Sequence, residues 1–236
     1  MVRRDTGDTD PGREIVLSLD RVSLEGDLGV PDDAKGVVLF AHGSGSSRKS
    51  PRNRQVAKAL EERGLATLLF DLLTPDEEVV DQRTREFRFN IALLAGRLMG
   101  AADWVTHDPD IGDLDIGLFG ASTGAAAALI VAAEAPTLVS AVVSRGGRVD
   151  LAEGAVEGVL APTLFLVGER DAPVLEINRL VLDRLATEDK KLTVIEGASH
   201  LFEEPGALEK VADFSGDWFL EHLSSAGAGR EGAERA

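Results

Sequence analysis

The sequence predicts an α/β protein, a mostly parallel β-sheet with helices on both faces. Two observations carry this. Six short, almost wholly apolar runs recur along the chain, at residues 37–41, 66–70, 116–119, 138–143, 163–167 and 192–195. Runs without polar alternation mark strands buried on both faces, as strands of parallel sheets are. Between them lie helical periodicities: Val56, Ala59, Leu60 and Arg63 before a stopping Gly64; Phe87, Ile91, Leu94 and Leu98; Ile177, Leu180, Val181 and Leu185; and Leu208, Val211, Phe214 and Trp218. Each set falls on one helix face, and alternating strands and helices build a parallel sheet through right-handed crossovers.

Upstream of the first apolar run, Ile15, Leu17 and Leu19 alternate with polar neighbours, and residues 22–30 stay extended as far as Pro31, which predicts an antiparallel pair of strands. At 236 residues the chain fits one domain, because a single core grows to roughly 250 residues before chains divide. That domain is expected over residues 13–223. A polar leader at 1–12 should precede it and a frayed tail at 224–236, rich in Gly, Ala and charge, should follow. The connection between Ser144 and Thr163 has room for one short helix and none for a cap domain.

Apolar residues at 44% and charged residues at 28% are those of a globular protein, neither disordered nor fibrous. No apolar run approaches the ~18 residues of a membrane span, and residues 1–13 lack the apolar stretch of a signal peptide. Cysteine is absent, which excludes disulfides, thiolate nucleophiles and cysteine metal sites. Together these features point to a cytoplasmic protein. A net charge of -16 argues against nucleic-acid and anionic-membrane partners, which are bound by clustered Lys and Arg. The carboxylate excess fits either adaptation to high salt, where counterions screen self-repulsion, or simply an acidic composition.

The strongest chemical feature is Gly120-Ala121-Ser122-Thr123-Gly124, between an apolar strand and an Ala-rich helix. A G-x-S-x-G turn strains its serine into an exposed position at the carboxyl edge of a sheet, and its glycines let strand and helix approach closely. A serine hydroxyl is a poor nucleophile at neutral pH, so it needs a base within hydrogen-bond reach and a third group to orient that base. His200 opens a loop after the strand at 192–195, whereas His222 falls inside the last helix and His107 ends a helix, away from the strand ends where open sheets build sites. Asp171 follows the strand at 163–167; it could instead cap the next helix, and Glu169 is the alternative acid. Backbone N–H groups of Ser44 and Thr123 are the expected oxyanion donors, with His42 bracing the first of these loops. Arg145 leaves its strand on the same edge, available to a substrate carboxylate or to a structural ion pair. No cofactor is required, because nucleophile, base and oxyanion donors are all supplied by the chain. Two other readings remain open. One is a non-catalytic binding protein on the same fold. The other is a nucleotide-binding protein using residues 43–50, a loop that misses the G-x-x-x-x-G-K-[ST] pattern because Arg48 stands where glycine is needed.

Taken together, Ser122, Asp171 and His200 occur in the order, and after the strands, seen in α/β-hydrolases. The chain resembles the dienelactone hydrolase branch of that superfamily, and in particular cap-free hydrolases sometimes fused to a phosphoribosyltransferase. The similar segments are Phe40-Ala41-His42-Gly43-Ser44-Gly45, Phe119-Gly120-Ala121-Ser122-Thr123-Gly124, Ser144-Arg145-Gly146-Gly147-Arg148, Gly168-Glu169-Arg170-Asp171 and Ser199-His200-Leu201-Phe202-Glu203. The resemblance implies a sheet of about eight strands, with the three residues as nucleophile, acid and base acting on a small-molecule ester. Dienelactone hydrolases proper use a cysteine nucleophile, and this chain has none, so the resemblance does not carry the substrate over.

Overall fold

The computed structural model describes residues 12–223; the tail expected at 224–236 and all but the last residue of the expected leader lie outside them. Eight strands form one sheet: β1 (Arg13–Ser18), β2 (Ser23–Gly29), β3 (Val37–Ala41), β4 (Ala66–Phe70), β5 (Ile116–Ala121), β6 (Val139–Arg145), β7 (Thr163–Gly168) and β8 (Lys190–Ile195). Their order across the sheet is β1-β2-β4-β3-β5-β6-β7-β8. β1 with β2 and β2 with β4 are antiparallel, and the remaining pairs are parallel. From β3 the chain moves outward to β4; from β5, on the other side of β3, it moves the opposite way to β6. Loops leaving the carboxyl ends of β3 and β5 therefore diverge, and ligands of open α/β sheets bind in the crevice such a switch leaves.

Helices α1 (Pro51–Glu61) and α6 (Ala207–His222) cover one face, while α3 (Ile91–Thr106) and α4 (Thr123–Glu134) cover the other. Strand β3 shows why its run is apolar throughout. Val37, Leu39 and Ala41 pack into the core beneath α3 and α4, and Val38 and Phe40 into the core beneath α1 and α6. Helix α5 (Ala172–Arg184) joins β7 to β8. Between β6 and β7 lie two short 3-10 turns, Val149–Ala152 and Val156–Gly158, where one short helix was expected; no cap is inserted there. Among the described residues no helix is long and apolar enough to cross a membrane.

Helix α2 (Pro75–Thr84) is absent from the sequence expectation. It buries no apolar stripe, since Val79 and Val80 are exposed, and it starts instead on a capping box in which Thr74 accepts from Glu77 N–H and the Glu77 carboxylate accepts from Thr74 N–H. Phe87, expected on the helix with Ile91, lies in the loop before α3, whose first turn is capped by Asn90. It packs against the core from there.

Phe40 is 1% exposed and its ring centroid lies 4.8 Å from that of Phe119. We expect Phe40→Ala to cost about 3–5 kcal/mol and lower the melting midpoint by roughly 10 °C. A shift of only a degree or two by calorimetry would contradict this placement of the core.

Candidate active site

Strand β5 ends at Ala121, and Ser122 turns the chain into α4 with φ 51° and ψ -117°, a conformation that costs a non-glycine residue about 1–3 kcal/mol. Neighbouring glycines make the turn possible. A Cβ at Gly124 would stand 2.1 Å from the Ala41 carbonyl oxygen, and one at Gly120 would stand 2.4 Å from Ala125 Cα. Ser122 occupies the N-cap position of α4, where serine ordinarily spends its oxygen on the first turn. Here it makes no capping bond, so the hydroxyl is left for other partners.

Asp171 stands in the same relation to α5. It is the N-cap residue, with Pro173 in the first turn, yet its carboxylate caps nothing. Instead Oδ2 lies 2.5 Å from His200 Nδ1, so the helix-capping alternative for Asp171 is not what the side chain does. The loops that carry this pair are stitched together. Glu169 N–H donates to the Ile195 carbonyl at 3.0 Å and Arg170 N–H to that of Ala198 at 2.9 Å. Gly168 permits the crossing, since a Cβ there would meet the Ala198 carbonyl oxygen at 2.4 Å. Glu169, the alternative acid, accepts the Gly197 N–H at 2.8 Å and so fixes the histidine loop rather than the ring. Glu204 accepts the Ser199 N–H at 3.0 Å, a bond that holds its carboxyl below the usual carboxylate range.

His200 lies over the edge of β6. A Cβ at Gly146 would come within 3.4 Å of its Cε1 and Nδ1, and the carbonyl of the preceding Arg145 accepts the Ser122 N–H at 3.2 Å. Imidazole and serine thus flank one short segment. Among the described residues, no hydrogen bond joins the Ser122 hydroxyl to the ring. Such bonds are often long in unliganded sites and tighten with substrate. With Nδ1 engaged by Asp171, Nε2 is the ring nitrogen without a partner among the described hydrogen bonds. The His200 side chain is 39% exposed, as befits an open site.

The loop after β3 closes on the serine from the other side. A Cβ at Gly43 would lie 3.0 Å from Ser122 Cβ. Neither Ser44 N–H nor Thr123 N–H has an acceptor among the described hydrogen bonds, which leaves both free for an oxyanion. His42 is 7% exposed; its Nε2 accepts the Leu72 N–H at 3.1 Å and its Nδ1 lies 3.0 Å from the Gly43 carbonyl oxygen. Burial pushes its pKa below the ordinary 6.5, so the neutral ring braces the loop. Further along the loop, Arg48 and Ser50 are committed too. Arg48 N–H donates to Asp71 at 2.7 Å, the Arg48 guanidinium lies 2.6 Å from Glu25, and Ser50 caps α1. The backbone N–H and the Nη2 of Arg48 are thus spent on carboxylates.

Sequence reasoning missed one brace. Asp81, 1% exposed on α2, accepts from Phe87 N–H and Arg88 N–H at 2.8 and 2.9 Å and from the Arg88 guanidinium. Burial alone would raise its pKa, but these donors outweigh that and hold it low. The Arg88 Nη1 reaches to within 3.1 Å of where a Gly45 Cβ would be, so the pair props the loop carrying Ser44. Among the described residues, no group of three or more His, Asp or Glu side chains is gathered as a metal site.

Residues 34–215 match the alpha/beta hydrolase domain family, and the chain belongs to it. It falls in the dienelactone hydrolase-like branch. A dienelactone hydrolase from Anabaena variabilis is 56% identical, and its crystal structure superposes with a TM-score of 0.88 over 91% of this chain and 100% of that one. Est1E from Butyrivibrio proteoclasticus, 18% identical, shares the fold with a TM-score of 0.74 over 89% of this chain and 98% of its own. A Mycobacterium tuberculosis protein provisionally named a phosphoribosyl transferase is 51% identical over 214 residues, which are 91% of this chain and 47% of that protein. The chain therefore spans about half the length of the curated relatives it matches.

Two outcomes test this geometry. Gly124→Ala should cost about 3 kcal/mol or more and lower the melting midpoint by roughly 6–12 °C, since its Cβ would strike backbone rather than a movable side chain. Unfolded His42 binds a proton near pH 6.5, and the buried ring does so only at lower pH. Stability is therefore lost as pH falls below 6.5. In His42→Gln, the slope of unfolding free energy against pH below 6.5 should be shallower by up to about one proton. Equal slopes by denaturant titration would contradict the buried neutral ring.

Proposed function

We propose that the protein hydrolyses small carboxylic esters, or the related thioesters and lactones, through an acyl-enzyme on Ser122. The 2.5 Å contact between His200 Nδ1 and Asp171, on loops flanking a strained serine that caps nothing, supports this reading most directly.

In this reaction His200 Nε2 takes the Ser122 proton as the hydroxyl attacks the acyl carbon. Asp171 holds the tautomer that leaves Nε2 basic and stabilises the imidazolium once it forms. The tetrahedral oxyanion receives the N–H groups of Ser44 and Thr123, each such donor worth about 10²–10³ in rate. His200 then returns the proton to the leaving alkoxide, and water activated by the same nitrogen cleaves the acyl-enzyme. An open, cap-free edge favours short-chain soluble esters.

The test is a panel of 4-nitrophenyl esters of graded chain length, run with wild type, Ser122→Ala and Asp171→Asn. We expect turnover of the short esters, loss of at least about 10⁴-fold in kcat for Ser122→Ala, and a comparable loss for Asp171→Asn with KM little changed. Hydrolysis that survives Ser122→Ala would reject the acyl-enzyme.

A further inference from the structure

Asp81 is a buried carboxylate on a helix that buries no apolar face. Such a group is costly unless donors surround it, and the donors it has gathered all come from the loop that follows α2. Phe87 N–H and Arg88 N–H reach Oδ1, and Arg88 Nε reaches Oδ2. Arg88 Nη2 donates to the Asp81 carbonyl at 3.3 Å. Two nitrogens of the guanidinium are thereby fixed to one residue. The third, Nη1, makes no hydrogen bond among the described residues and stands 3.1 Å from where a Gly45 Cβ would be.

Gly45 is the corner of the turn that presents Ser44. Ser46 N–H donates to the Gly43 carbonyl at 3.1 Å, which closes a four-residue turn over Gly43, Ser44, Gly45 and Ser46. Gly45 has φ 69° at its third position, and neither Gly43 nor Ser44 shares a positive φ. That pattern is a type II turn. Glycines on both sides of Ser44 give its backbone little stiffness of its own, so the direction of the Ser44 N–H has to be held from outside the turn. Two side chains do this. His42 anchors the entry to the turn through the Leu72 N–H, and Arg88 backs its far corner. His42, Ser44, Gly45 and Arg88 line one small hollow beneath the loop.

We infer that Asp81 and Arg88 are positioning residues for acyl transfer: the guanidinium, locked by Asp81, holds Gly45 so that the Ser44 N–H meets the oxyanion. Neither residue touches the substrate. This rests on the hydrolase reading above and adds a determinant of its rate. Because the oxyanion forms only on the way to the acyl-enzyme, a loosened turn weakens the transition state and spares substrate binding. Turnover of 4-nitrophenyl acetate and inhibition by a methyl trifluoromethyl ketone, whose adduct on a serine carries an oxyanion, test this together. Arg88→Met should lower kcat roughly 10- to 100-fold with KM within about threefold of wild type, and should weaken the ketone by the same factor as kcat/KM. Asp81→Asn should act in the same direction, and the double variant should lose no more than Arg88→Met alone, since the pair works as one unit. If Asp81→Asn does not fold, Arg88→Met decides alone, its side chain being 19% exposed. A kcat for Arg88→Met within threefold of wild type, or a loss confined to KM with the ketone bound as tightly as before, would overturn the positioning role while wild type remains active. Failure of the hydrolase reading looks different: wild type cleaves no ester and an active-serine fluorophosphonate leaves Ser122 unlabelled, and the positioning role falls with it.

Discussion

The site depends on the backbone of one residue. Ser122 is held at positive φ where β5 meets α4, and its strain persists because the surroundings permit no other path. Gly120 and Gly124 let the helix press onto the ends of β5 and β3 so closely that a methyl group at either would collide with main chain. The all-alanine stretch that follows, residues 125–128, is buried completely and keeps that contact tight. The packing energy of α4 thus sustains a local conformation of a few kcal/mol, and what it secures is a hydroxyl freed from helix capping.

The same economy recurs at Asp171. Both residues follow a sheet strand and open a helix, and both leave the capping role that their chemistry would ordinarily fill. The helices can bear this because α4 and α5 draw their stability from buried faces, and α5 also has Pro173 fixing its first turn. Topology does the rest. The strand order β4-β3-β5-β6 opens a crevice between β3 and β5, with the Ser44 loop on one side and the serine on the other. The β7 and β8 loops, laced by backbone bonds, bring an acid and a base 29 positions apart in sequence to within 2.5 Å.

Much of this was legible in the sequence, and the reasons are specific. The runs at 37–41 and 66–70 coincide with β3 and β4 because strands buried on both faces are almost wholly apolar, the one polar residue, Thr67, being hydrogen-bonded to Glu61. Strands β5, β6 and β8 extend past their apolar runs, since ladder pairing continues through Gly120, Arg145 and Lys190, whose side chains carry no hydrophobic signal. Helix α2 was invisible to periodicity because no apolar face of it is buried; its signal was the Thr74-Pro75 start with Glu77 in the capping position. The Asp81–Arg88 brace follows from α2 and could not be seen without it. Ser122, Asp171 and His200 were singled out as candidates from their places after strands, and the fold brings Asp171 and His200 into contact. That Arg145 has no carboxylate partner among the described residues was beyond the sequence, because it depends on which acidic side chains the fold brings near.

The account turns on Ser122 being a nucleophile made reactive by His200. Intact-mass and peptide-mapping mass spectrometry after treatment with an active-serine fluorophosphonate measures this directly. One adduct per chain, mapped to Ser122 and nearly abolished in a folded His200→Gln variant, is the predicted result. No adduct, or labelling at Ser122 that proceeds as fast without the imidazole, would contradict it.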